Sequence, residues 1–397
     1  MWVINLHLYG IVEGNIVNYI TQIRGVSYKP SDLHDSLNEN SIILLRANNI
    51  DEGKINFEDV VYVDKSKVSE TQILRENDIL ICASSGSKNL VGKAASFNGN
   101  IECTFGAFCK VIRPRNIFGS YLSAFFQSKY YRFHISQFAN GANINNIKNE
   151  HINSFSIPER SFEEQKEISY KVSSLNRIIE SYNRELDLLD ELIKARFVEM
   201  FGDVQDAKKH SDKQLKDICN TVTGGTPSTK HAEYYNGTIP WISTVSLGPN
   251  YIDGTTAKAF ITQEAVDNSA TKIIPSGSIL FGTRVGVGKS SINQVEMCTN
   301  QDIVAIIDLD ESKYNKLYIK YVLDTYQSYF DSIKKGATIL GISSDDLKNI
   351  YIPAASLYEQ NRFEKFVKQI DKSRSRIQKS LEASQELFDS LMQEYFG

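Results

Sequence analysis

The chain repeats itself at a fixed interval. Ser161–Gly202 opens Ser-Phe-Glu-Glu-Gln and closes Glu-Met-Phe-Gly; Ser356–Gly397 opens Ser-Leu-Tyr-Glu-Gln and closes Glu-Tyr-Phe-Gly, 195 residues later. The first stretch carries Ile168, Val172, Leu175, Ile179, Tyr182, Leu186, Leu189 and Ile193. Spacings of four and three make the seam of a helix that packs along another helix. The second seam runs Phe363, Val367, Ile370, Ile377, Leu381, Phe388, Leu391, Tyr395. Arg374 and Ser384 interrupt it, which would fix register at some cost in stability. Each start is a Ser-x-x-Glu capping box, Ser161/Glu164 and Ser356/Glu359, and a glycine stops each end. At ~1.5 Å per residue each helix would reach roughly 60 Å, more than an ordinary globular core needs. Two unrelated amphipathic helices would not share what lies upstream. Gly141, Ala142, Ile144, Ile147, Ile157 and Pro158 match Gly336, Ala337, Ile339, Ile342, Ile352 and Pro353 at the same offset.

A chain of 397 residues is too long for one ordinary core. The spacing predicts a leader at 1–14, a first globular part at 15–156 and a helix with its flanks at 157–203. A charged linker follows at 204–213, then a second globular part at 214–351 and the terminal helix at 352–397. In the first part Ile42–Arg46, Val60–Val63, Asp78–Cys82 and Phe108–Ile112 read as strands, and Tyr121–Phe138 as helix. Ile239–Ser243, Ser278–Phe281 and Tyr318–Ile333 repeat that order. Short strands with few helices predict a mixed, mainly antiparallel sheet in each part, an α+β class. Between these anchors the parts diverge: Gly224-Gly-Thr-Pro-Ser228 answers Gly25-Val-Ser-Tyr-Lys29 only loosely. A shared scaffold with divergent loops suits two parts doing the same kind of job on different targets.

The net charge of −4 argues at first against nucleic acid. Its distribution changes that: residues 157–203 hold 7 Lys/Arg against 11 Asp/Glu, while 1–156 hold 15 against 14 and 204–351 hold 15 against 16. Two near-neutral globular parts would need a partner for much of any phosphate grip. Five cysteines without a C-x-x-C pair predict reduced thiols and a cytoplasmic chain. The apolar run Trp2–Val12 is too short to span a bilayer. Six scattered histidines form no zinc pattern, so no metal is expected.

Gly282-Thr-Arg-Val-Gly-Val-Gly-Lys-Ser290 resembles a phosphate loop but fails its spacing, since Thr283 stands where the first glycine belongs. A tight turn between strands is the simpler reading, with Lys289, and Lys88 or Lys93 in the first part, available to a phosphate. Arg46, Arg284, Trp241, Ser243, Thr244, Asn143 and Asn146 are candidates for base or backbone contacts, because arginine can grip guanine and asparagine adenine through paired hydrogen bonds. No methyl-transfer tetrad, cofactor loop, helicase motif or nuclease carboxylate cluster stands out.

The duplicated plan resembles the DNA-specificity subunit of a type I restriction–modification system. The resemblance rests on the Gly-Ala turn, the Ile-Pro, the Glu-Gln helix start and the Phe-Gly stop, each present twice, and covers nearly the whole chain apart from the leader. It implies two target recognition domains, each reading one half of a split site in double-stranded DNA. It implies long helices that run antiparallel as a coiled coil, give the molecule a pseudo-twofold internal repeat and set the unread gap. It also implies two docked methyltransferase subunits and motor-nuclease restriction subunits, with S-adenosylmethionine, ATP and Mg on those partners and no catalysis or cofactor here. Two other classes stay open on the residues alone: a coiled-coil adaptor without sequence readout, and an enzyme with an unrecognised site.

Overall fold

The structure, a computed structural model, describes residues 12–51, 53–87, 89–139, 146–211, 213–336 and 339–397. Most of the leader, Lys88, the Gly141-Ala142 turn, Asn143, Ile144 and Ala337 lie outside the described residues.

Two helices of 40 residues each, Phe162–Phe201 and Leu357–Phe396, stand where the heptads place them. Both capping boxes form. The Ser161 amide donates to the Glu164 carboxylate at 2.8 Å and the Glu164 amide to Ser161 Oγ at 3.3 Å; Ser356 and Glu359 repeat the exchange at 3.0 and 3.3 Å. Gly202 takes φ +78°, a conformation that costs a side-chain-bearing residue dearly, and so ends the first helix. Arg374, an interruption of the second seam, places its guanidinium on Asp190 of the first helix. Ser384 turns its hydroxyl back to the Ser380 carbonyl.

The chain forms two compact units, one of residues up to Asn183 together with Lys379–Gly397, the other Arg184–Gln378. In the first unit, four antiparallel strands lie in the order Ile20–Arg24, Cys109–Pro114, Ile79–Cys82, Ala94–Ser96. A second sheet orders Cys103–Phe105, Ser41–Leu45, Val61–Asp64 and Leu33–His34, its first pair parallel. Glu13–Asn15 pairs with Ser156–Pro158, so strand structure begins before residue 15. The other unit repeats the plan. Asn220–Thr223, Ile303–Ile307, Ile279–Gly282 and Ser290–Asn293 lie antiparallel in that order, with Tyr251–Ile252 added in parallel. Ala259–Ile261, Ile239–Ile242 and Cys298–Thr299 make the smaller sheet, its last pair again parallel. Among the described residues each unit thus divides most of its strands between two sheets, and the first adds the two-stranded pairings Glu13–Asn15 with Ser156–Pro158 and Ile50–Asp51 with Lys54–Ile55, where the sequence suggested a single sheet. The expected linker is partly built in: Val204 and Ala207 are buried, and Val204 belongs to the second core.

The largest core of each unit is closed by helix ends. In the first, Ile168 and Val172 of the first long helix join Met392, Tyr395 and Phe396 of the second. In the other, Ile193 and Phe197 join Phe363 and Val367. The repeated motifs acquire causes. Tyr121 donates to the Pro158 carbonyl at 2.9 Å and its ring lies 5.1 Å from Phe396; Tyr318 donates to the Pro353 carbonyl at 2.7 Å and lies 4.7 Å from Phe201. The glutamine of each helix start is a buried latch. Gln165 accepts from the Phe118 amide at 2.8 Å, and Gln360 from the Asn315 amide at 2.8 Å while donating to the Ala355 carbonyl at 3.0 Å.

Gln360→Ala leaves those buried groups unpaired and is expected to cost about 2 kcal/mol. Ser356→Ala, at the exposed cap, is expected to cost about 1 kcal/mol. Urea unfolding midpoints give both values, and equal losses would contradict the latch.

Candidate nucleic-acid interface

The turn between Ile279–Gly282 and Ser290–Asn293 is a strand-to-strand reversal, closed by the Gly282 amide on the Lys289 carbonyl at 2.9 Å and the Gly288 amide on the Gly282 carbonyl at 3.1 Å. It cradles no phosphate in the manner of a strand-to-helix loop. Its tip carries Arg284 and Val285, 57% and 50% exposed. A second loop lies against it: the Ile342 amide reaches the Thr283 carbonyl at 2.8 Å, and Lys335 pairs with Gly341. Ile339 stands 56% exposed on that loop. The result is a surface of two cations, Arg284 and Lys335, beside bare apolar side chains. Guanidinium and ammonium suit phosphates and guanine edges, and apolar groups suit thymine methyls.

The first unit builds the same frame from other residues. The Gly92 amide meets the Cys82 carbonyl at 2.9 Å, and the Ile147 amide meets the Ala83 carbonyl at 2.7 Å. Ser84 therefore takes the place of Arg284. It pairs with Asn146, which puts that candidate beside the turn. Phe108, whose carbonyl caps Ala83, holds the place of Asp302, whose carbonyl caps Thr283; Phe108 is 71% exposed. Lys93 stands half-exposed, 3.9 Å from Asp51. Arg46 opens a 3₁₀ turn at Ala47–Asn49 and pairs with Asp59 at 3.0 Å.

Three candidates are differently placed. Trp241 is 6% exposed and its indole N–H donates to the Gly225 carbonyl at 3.0 Å, so the ring is core and its donor is used. Ser243 and Thr244 are buried at 7% and 4%. Trp241 lies in the Ile239–Ile242 strand and Ser243 and Thr244 open the 3₁₀ turn that follows it, and a contact from any of the three would require the segment to open. Lys289 is exposed at the end of the turn. Lys88 and Asn143 lie outside the described residues. Sequence reading missed Phe108, Asp59 and Asp302. Phe108 looked like the start of a buried strand, and the two aspartates matter only through partners distant in sequence.

Burial pushes the Cys103, Cys109 and Cys219 thiols up to about 12, which leaves no thiolate nucleophile there near neutral pH. Among the described residues no cluster of three or more His, Cys, Asp or Glu could hold a metal, and no helix is long and apolar enough to cross a membrane. Among the described residues two lysines are buried: Lys320 is paired with Asp324 at 2.7 Å, whereas Lys110 is bonded to Gln22 Oε1 at 2.9 Å and to Asn149 Oδ1, with no carboxylate on it. Desolvation lowers it to about 8.

Residues 208–385 match the family described as the type I restriction modification DNA specificity domain. The chain is 39% identical over 186 residues to the EcoKI specificity subunit of Escherichia coli K12, covering 47% of this chain and 40% of that relative. To the StySPI specificity subunit of Salmonella potsdam it is 40% identical over 175 residues, covering 44% and 38%. The chain thus spans about two fifths of the length of these curated relatives. Across the whole chain it shares a fold with the solved S subunit of a type I restriction–modification system from M. genitalium, at TM-score 0.55 and 14% identity, covering 100% of this chain and 97% of that one. The match to the DNA specificity domain thus lies within residues 208–385, and the likeness of the whole chain to the solved S subunit is one of fold.

Buried Lys110 yields a pH signature. Between about pH 8 and its ordinary value of 10.5, the unfolded chain holds a proton that folded Lys110 has lost, so stability from this group rises with pH across that window. Below pH 8 both states are protonated and the cost of burying the charge is felt in full. Relative to Lys110→Met, the wild type should gain up to ~1.4 kcal/mol per pH unit from pH 8 to 10, measured as paired urea midpoints. A pH-independent difference would show that the amine keeps its ordinary affinity.

Proposed function

We propose that this chain is the sequence reader of a type I restriction–modification complex, each head reading one half of a bipartite site in double-stranded DNA. The observation that carries this is the repetition of one scaffold with non-equivalent surface groups: Arg284 and Asp302 in one unit stand where Ser84 and Phe108 stand in the other. Repetition of the frame supports a common task, and divergence at the turns supports different targets.

The two long helices act as an antiparallel coiled coil that holds the target recognition domains at a set separation and docks two methyltransferase subunits. The ends that share a core in each unit support this pairing. Half-sites on one face of duplex DNA lie about 34–36 Å apart, within reach of heads on a rod of roughly 60 Å. The chain itself is non-catalytic and cytoplasmic. Adenine methylation, translocation and cleavage, with S-adenosylmethionine, ATP and Mg, belong to the methyltransferase and motor-nuclease subunits. Near-neutral heads fit a reader clamped on DNA by those partners.

Exchanging residues 13–158 for the corresponding head of another family member should change one half-site of the methylated motif and leave the other, as read by single-molecule methylation sequencing. Alteration of both halves, or of neither, would refute independent heads. Deleting matched turns from both long helices should alter the gap length. An unchanged gap with an assembled complex would refute the ruler.

A further inference from the structure

The geometry points to one aspartate-held arginine in each head, Arg46 and Arg284, as the reader of a guanine in its own half-site. Asp59 and Asp302 are then the positioning residues. This rests on the DNA-reading function proposed above and extends it to the base recognised.

In the first head, Arg46 is fixed at both ends. Its amide donates to Asn49 Oδ1 at 2.8 Å, and its Nη2 donates to Asp59 Oδ2 at 3.0 Å and to the Asp59 carbonyl at 3.4 Å. Asn48 Nδ2 donates to the same carboxylate oxygen at 2.8 Å. Arg46 Nη1 makes no hydrogen bond among the described residues. In the second head, Arg284 Nη1 lies 3.7 Å from Asp302 Oδ1. That carboxylate is itself held: its other oxygen accepts from Asn300 Nδ2 at 3.2 Å, and its side chain is 16% exposed against 57% for Arg284. Each arginine therefore has a carboxylate on one edge and an asparagine amide on that carboxylate; Arg46 Nε is buried, which leaves Nη1 as the donor of Arg46 not engaged by Asp59.

Three physical points favour a base over a phosphate. An exposed ion pair of this kind contributes little to stability, so the fold does not account for it. A carboxylate beside the arginine cancels its charge and repels a phosphate, so the pair is a poor backbone grip. Arg46, hydrogen-bonded to Asp59, has already lost much of its rotamer freedom, and Arg284 has Asp302 beside it at 3.7 Å to bias its direction; the planar fork of each matches the O6 and N7 acceptors of guanine. Lys289 is the contrast: it is exposed and makes no ion pair among the described residues, as suits a phosphate contact.

The arginines come from different places in the repeated frame. The residue that opens the turn after the Ser41–Leu45 strand is Arg46, whereas after Ile239–Ile242 it is Ser243. Conversely Ser84 and Phe108 fill the places of Arg284 and Asp302. Each head thus sets its guanine at a different position relative to its own scaffold.

The test uses the full methyltransferase complex. Its motif is read by methylation sequencing, and its binding is measured on duplexes substituted at each position in turn. Arg284→Ala and Arg284→Lys should each lower discrimination at a single guanine of one half-site by about 10- to 100-fold, leaving the other half-site intact. Arg46→Ala and Arg46→Lys should do the same in the other half-site. Asp302→Asn and Asp59→Asn should relax the same guanines less, a base-specific readout that a purely structural role would not move. If an alanine variant fails to assemble, the lysine variant, which keeps charge and stem, carries the test. The inference is overturned by an unchanged base preference in both arginine variants of a head. It is equally overturned by weakening that is uniform across all duplexes with a shallower salt dependence, which marks a phosphate contact, or by a half-site that lacks guanine. If head exchange also leaves both half-sites unaltered, DNA reading itself falls; if exchange alters one half-site and the arginine variants alter none, only the guanine assignment falls.

Discussion

The largest hydrophobic core of each unit is finished by a helix that began in the other repeat. Phe396, from the end of the second repeat, packs 5.1 Å from Tyr121 of the first, and Phe201, from the end of the first, packs 4.7 Å from Tyr318 of the second. Both tyrosines are fully buried and spend their hydroxyls on a proline carbonyl at the head-to-helix joint. A buried aromatic with a satisfied polar tip combines large apolar area with a fixed direction. Around that contact the glutamine latch and the capping box set where each helix leaves its head. The position of a head on its helix is thus decided by a few buried groups at the joint.

Local signals were the legible part of the sequence. Both capping boxes, the heptad seams and the glycine stops depend on residues within a few positions of one another, and the structure contains them as spaced. The Glu-Gln start was visible only as a repeat. The capping glutamate is local, but that the glutamine docks follows from partners some 45 residues away, Phe118 and Asn315. The division of each head's strands among separate sheets was not legible, because strand alternation does not say which strands pair. The loosely matched glycines are a similar case: Gly25 and Gly224 fall outside the 195 offset, yet a side chain on either would strike backbone, Gly106 O at 2.1 Å and Asn300 O at 2.2 Å. The structure preserves a close approach there through an altered spacing.

The interface was legible in part. Arg46 and Arg284 were singled out by residue type, and both lie at turns, with side chains 37% and 57% exposed. Trp241 was singled out by the same reasoning and is core, since a tryptophan in a short strand is read equally well as a base stacker or as packing until its neighbours are known. The aspartates that hold the arginines could not be found from spacing: Asp59 lies across an irregular loop from Arg46, and Asp302 reaches Arg284 only once the Ile303–Ile307 strand is seated beside Ile279–Gly282. Pairing across a sheet is a tertiary fact. The surface chemistry of a reader is therefore far less evident in one sequence than the frame that carries it.

The reciprocal closure of the cores has a consequence for how such a chain tolerates being divided. A fragment ending at Gly202 would possess the tyrosine socket of its own head and the phenylalanine plug of the missing one, joined by a stiff forty-residue helix that cannot bend the plug home. Two such fragments, each lending its plug to the other, would satisfy both sockets. Severing the polypeptide at that point would thus trade an intramolecular fit for self-association, and the concentration of fragment would take over the role played by covalent continuity.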